Sequence, residues 1–225
     1  EGKDYGIASG LIDENAMLAF ENLTEFYTAY KLPVTADFSN RFRTGEMPIG
    51  IAAYTTYNQL EIFAPEIKGL WSFAPVPGVT DSNGNINNTV VADASHCILM
   101  ESSKNKDEAW DFIKWWISDD VQLRYAYSLE AIMGTAARYP TANKNVLIQL
   151  AWPREFRDQL LKQLESSEGI PEVPGGYITS RMVDYAFKSV VTSGQNPREA
   201  LYLNIKDIDK ELTKKRKEFH LSYIE

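Results

Sequence analysis

Arg43 to Leu60, RTGEMPIGIAAYTTYNQL, decides how the rest of the chain is read. Gly45 follows a short helical pattern and stops it. Met47 to Ala53 then reads as a buried apolar strand, and the strand gives way to Tyr54, Thr55, Thr56, Tyr57 and Asn58. Open α/β sheets gather ligand groups at the carboxyl ends of their strands. Aromatic rings, hydroxyls and an amide delivered there make this end the candidate site.

The 225 residues are 44% hydrophobic with a net charge of −8, so the chain can bury one large core or two small ones. The acidic balance argues against a nucleic-acid or anionic-membrane partner, because such partners need a basic surface to release counterions. A single cysteine, Cys97, excludes a disulfide framework and a cysteine-rich metal site. Within CILM it reads as a buried small hydrophobe. No apolar run is long enough to span a bilayer as a helix.

Outward from the central stretch, helices declare themselves by spacing and caps. Asp13 can cap a helix with Ala16, Phe20, Leu23, Tyr27 and Tyr30 inward, ended by Pro33. Residues 37–43 and 55–63 read as short helices, and Leu70 to Ala74 as a second strand. Asn83-Gly84 marks a turn in DSNGNINN, after which Thr89 to Met100 reads as a long strand, polar in its middle, that can pass between sheets. Asn105 and Glu108 suggest a capping box for a helix burying Ala109, Phe112, Ile113, Trp116 and Ile117. Ser118 opens another helix, to about Leu129; Gly134 to Asn143 is a loop, and Pro153 to Glu165 a helix. Thr179 to Thr192 is helical with Gly194 as C-terminal cap. Asn196, Pro197 and Glu199 restart a helix that buries Leu201, Ile205, Ile208 and Leu212 and ends in the solvated charge run Lys214 to Glu218.

RFRTGEMPIGIAAYTTYNQL, GLWSFAPVPG, SSKNKDEAWDFIKWW and NPREALYLNIKDIDKEL, in that order and spacing, resemble the C-terminal part of the extracellular solute-binding proteins of bacterial ABC importers, the group that includes maltose-binding protein. GGYITSR and KKRKEFHL resemble its Gram-positive lipoprotein branch. The resemblance implies an α/β, periplasmic-binding-protein-like (type II) fold whose two lobes close on a ligand. It implies that residues 1–89 and 146–225 are C-terminal-lobe material and that 90–145 return to the N-terminal lobe, the chain being a piece of the receptor. The partners it implies are a sugar or oligosaccharide and the membrane permease, with no cofactor, metal or catalysis. The location it implies is outside the cytoplasm, by a lipid anchor.

Carried onto this sequence, the resemblance puts Tyr54 and Tyr57 where relatives present a ring to a sugar, with Thr55 and Asn58 as hydroxyl partners. Arg181 falls where the maltose receptor stacks a tryptophan, Tyr177 precedes it on Gly175-Gly176, and Asp93 lies on the crossing strand near ligand. Tyr54, Tyr57, Tyr177 and Arg181 are then expected to converge on one concavity. Asp93, Ser95 and His96 do not make a triad, since on an extended segment Asp93 and Ser95 share one face and His96 takes the other. Glu130 and Arg138 read equally well as cleft residues or as a structural salt bridge. The competing readings are a fragment of a carbohydrate-active enzyme, which would need two placed carboxylates, a purely structural surface domain, and a receptor for a peptide or another small solute.

Overall fold

Caps and apolar spacing dictate most of the helices seen in the computed structural model, which describes residues 6–223. The helices are α1 (Glu14–Thr28), α2 (Phe38–Arg43), α3 (Thr56–Phe63), α4 (Lys106–Trp116), α5 (Asp119–Met133), α6 (Lys144–Gln149), α7 (Arg154–Glu165), α8 (Tyr177–Ser193) and α9 (Pro197–Glu218). Four two-residue strands accompany them: β1 (Val79–Thr80), β2 (Ile86–Asn87), β3 (Val90–Val91) and β4 (Ser167–Glu168). None of the described helices is long and apolar enough to cross a membrane.

The chain divides into two compact units, residues 1–36 with 171–225, and residues 37–170. In the first, α1, α8 and α9 pack around Met17, Phe20, Ala186, Val190, Ala200, Leu201 and Ile205. The caps work as the residues require: Asp13 accepts from the Asn15 amide and Asn196 from the Glu199 amide, each relieving an orphan N–H of a first turn. Gly194 closes α8 in the left-handed region at φ 69°, where a Cβ would be strained. The buried stripe of α1 is Met17, Phe20 and Thr24, while Leu23 and Tyr30 are exposed. The expected face of α1 was therefore rotated, and Tyr30 lies past the last helical residue, Thr28.

In the second unit, Tyr57, Ala126, Val146, Leu147, Leu150, Trp152 and Leu160 form the core. Helix α6, capped by Asn143 accepting from the Asn145 and Val146 amides, was not expected and supplies two of these residues. Three strand expectations are corrected. Residues 47–53 and 70–74 form no strand ladder among the described residues, and of 89–100 only Val90–Val91 pairs, in parallel with Ser167–Glu168. A strand is defined by hydrogen bonds to a neighbour, so apolar composition without that neighbour leaves the segment open. Ile49 and Ile51 accordingly stand 85% and 81% exposed. Cys97, on the same kind of segment, is exposed rather than buried. The capping box at Asn105 is also absent, for its side chain makes no cap hydrogen bond, and of the expected α4 face only Ile113 is buried.

Candidate functional site

The residues that open α3 are held by an aromatic wall. Tyr57 is 6% exposed, and its ring lies 4.7 Å from Trp152, 5.2 Å from Phe156 and 5.6 Å from Trp71. Such tilted and edge-on pairs suit the ring quadrupoles and add to the burial energy. Over this cluster lies the Arg138 guanidinium, 4.9 Å from the Trp152 ring centre and 5.8 Å from that of Tyr57. Its Nη2 donates to Glu130 Oε1 at 2.7 Å, and with Arg138 only 5% exposed this is a buried structural pair. The salt-bridge reading of Glu130 and Arg138 is the one observed.

Tyr54 sits at the rim of the wall. It is half-buried, its ring 6.3 Å from Trp152 and its hydroxyl 3.5 Å from the Thr141 carbonyl, at the outer limit of a hydrogen bond. Burial first, and then the neighbouring Tyr139 hydroxyl, push its pKa well above the ordinary tyrosine range. Thr55 is the half-buried residue preceding α3, and its hydroxyl makes no cap bond. Asn58 donates from Nδ2 to the Arg138 carbonyl at 2.9 Å, whereas its Oδ1 is buried with no partner, as are Arg138 Nη1 and Trp152 Nε1. One segment thus carries an inner residue, Tyr57, an outer pair, Tyr54 and Thr55, and an amide tied to the loop after α5.

Asp93 is exposed on the open segment after β3, as are Ser95 and His96. Tyr177 and Arg181 belong to the other compact unit. Helix α8 begins at Tyr177, two residues before the expected start, so Arg181 stands one turn along it rather than in its first turn. Both are exposed, and the Tyr177 hydroxyl donates to Glu211 Oε1 at 2.5 Å. That bond holds the Glu211 carboxyl below its usual range and raises the Tyr177 hydroxyl above its own. Gly175 makes the approach possible: at φ +88° a Cβ there would lie 3.0 Å from the Glu211 carbonyl oxygen and 3.1 Å from Leu212 Cα. Trp152, which completes the wall, carried no signal in the sequence beyond its place in the apolar run LAWP.

Among the described residues no group of three His, Cys, Asp or Glu side chains could hold a metal ion. No curated protein matches the sequence. Among solved structures, the sugar-binding protein MalE from the phytopathogen Xanthomonas citri is similar, with a TM-score of 0.71 at 21% identity over 99% of this chain and 54% of that one. The chain thus spans about half the length of that protein and shares its fold, the type II periplasmic-binding fold expected from the sequence. The family of bacterial extracellular solute-binding proteins matches over residues 2–123, more than half of the chain. The chain belongs to that family of bacterial extracellular solute-binding proteins.

Proposed function

We propose that this chain serves an ABC importer as part of its solute receptor outside the cytoplasm, capturing a sugar or oligosaccharide and presenting it to the membrane permease. The observation that carries the reading is Tyr54: a ring half out of the core, braced by Trp152 and followed by the uncommitted Thr55 hydroxyl. A ring braced in this way offers its face to the C–H patch of a pyranose without losing conformational freedom on binding, and the hydroxyl offers a donor and an acceptor to the sugar's own. Within the other unit, exposed Tyr177 and Arg181 on α8 are candidate solute contacts in their own right, the guanidinium with several donors for hydroxyls. Tyr57 and Asn58 act behind Tyr54, the first as packing and the second as a tie to the Arg138 loop. The likeness to a sugar-binding protein favours carbohydrate over other solutes.

The receptor performs no bond chemistry on this reading. Solute contacts shift it toward a closed state by as much as the solute prefers that state, and the permease responds to the closed state. A lipid anchor, of the kind found in the Gram-positive branch, would keep it at the cell surface. Ligand-detected NMR on the 225-residue chain tests the reading, because saturation transfer registers even millimolar binding. Transfer to the ring protons of a linear oligosaccharide is expected; transfer to none of a panel of sugars, with transfer to peptides instead, would replace carbohydrate as the solute.

A further inference from the structure

Helix α9 carries a face that the solute site does not use. Lys206, Lys210, Lys214 and Lys217 are all exposed and follow one another at spacings of four, four and three residues. At 3.6 residues per turn this lines them along one side of the helix over about 16 Å. With Ile7 and Ala8 they border a shallow groove of about 730 Å³. The chain as a whole carries −8, so the face is a local reversal of sign.

The lysines are arranged rather than merely solvated. Lys206 Nζ lies 4.8 Å from the Tyr202 ring centre and Lys217 Nζ 4.5 Å from that of Tyr223, so a ring braces each end of the row. Lys214 Nζ is 3.3 Å from Glu211. The carboxylate that lines the groove, Asp209, accepts from the Ser9 amide at 2.6 Å and is in that measure already engaged. Both bracing rings are themselves exposed, Tyr202 at 46% and Tyr223 at 39%.

We propose that the lysine face of α9 is a docking surface for the headgroups of anionic phospholipids, which holds the protein against a bilayer by contacts of its own. Ammonium groups beside the exposed Tyr202 and Tyr223 rings match the headgroup zone of a bilayer, where phosphates meet the lysines and tyrosine rings sit at the level of the headgroups. A soluble acidic peptide would answer the lysines alone, whereas a headgroup layer answers the lysines and the two rings together, so the lipid surface is the occupant these residues fit better. The inference rests on this surface alone and stands or falls apart from the solute site.

Co-sedimentation with vesicles decides it. The chain is expected to pellet with vesicles of equal parts phosphatidylglycerol and phosphatidylcholine and not with phosphatidylcholine alone, and to be released as salt rises from about 0.05 to 0.5 M. Combining Lys206→Gln, Lys210→Gln, Lys214→Gln and Lys217→Gln is expected to lower the partition about ten-fold or more. A variant that removes as much charge elsewhere, Lys114→Gln with Lys144→Gln, Lys162→Gln and Lys188→Gln, is expected to change it less than about two-fold. Circular dichroism checks that both keep their helices. Failure to pellet with anionic vesicles, equal pelleting with phosphatidylcholine, or the same loss in both variants would overturn the proposal. Binding to polyglutamate at matched charge with no pelleting on anionic vesicles would also overturn it, and would assign the face to an acidic protein.

Discussion

Tyr54 and Tyr57 are three residues apart, yet the fold gives them opposite work. Tyr57 is enclosed by Trp71, Trp152 and Phe156, so Tyr57→Ala should destabilise the second unit by about 3 to 5 kcal/mol, read from urea unfolding. Tyr54→Ala, at the rim, should cost far less. Loss of the same size at both positions would mean that Tyr54 is also core. The tyrosines of this region set a pH dependence as well. Burial, as the largest cause, raises the hydroxyl pKa of Tyr54, Tyr57 and Tyr139 above the ordinary value of 10.0. Below pH 10 both states keep the proton and nothing changes; above it the unfolded chain ionises while the folded one resists, so the unfolded state binds fewer protons and stability falls. Unfolding measured at pH 8 and pH 11 should show the decline, with phenolate absorbance appearing in step with unfolding. A folded protein whose tyrosines all titrate near pH 10 would contradict the burial. The sequence marked Tyr54 to Asn58 as the important stretch but could not divide inner from outer ring, because that division depends on Trp152 and Arg138, some eighty to a hundred residues away.

Among elements, helices were legible and strands were not, for one physical reason. A helix satisfies its hydrogen bonds within itself, so Asn196-Pro197-Arg198-Glu199 announces α9 locally and the announcement holds. A strand needs a neighbour that no local pattern names, and residues 47–53 and 70–74 have none among the described residues. Short α6, six residues like α2, had its local signal in Asn143, which caps it by accepting from the Asn145 and Val146 amides but reads in sequence as the end of a loop. Two substitutions test the packing of α8 and α9. Asn196→Ala removes the bond to the Glu199 amide and should cost about 1 kcal/mol. Gly175→Ala forces a Cβ into the left-handed region against the α9 backbone and should cost about 2 kcal/mol or more. Thermal melts of both variants at the wild-type midpoint, or above it, would show that this helix pair is not the stabilising core of its unit.

For the whole molecule, family and fold were readable from the order of four motifs, whereas the ligand was not, since a site's chemistry lies in a few side chains grafted on a shared fold. The surface of α4 bears on how the chain behaves in solution: Trp110, Phe112, Trp115 and Ile117 are each more than half exposed on one short stretch. Apolar area of that kind binds hydrophobic dyes or drives self-association. Sedimentation of the chain should reveal concentration-dependent association or, failing that, a dye-binding monomer; a monomer that binds no dye would mean the rings are covered by the chain itself. The central claim, that Tyr54 presents a solute to be carried and not a residue of the core, is tested most directly by saturation-transfer NMR on the chain and its Tyr54→Ala and Tyr57→Phe variants with one linear oligosaccharide. The account predicts transfer in the wild type and in Tyr57→Phe, and its loss in Tyr54→Ala with unfolding unchanged to within about 1 kcal/mol. Undiminished transfer in Tyr54→Ala would contradict it.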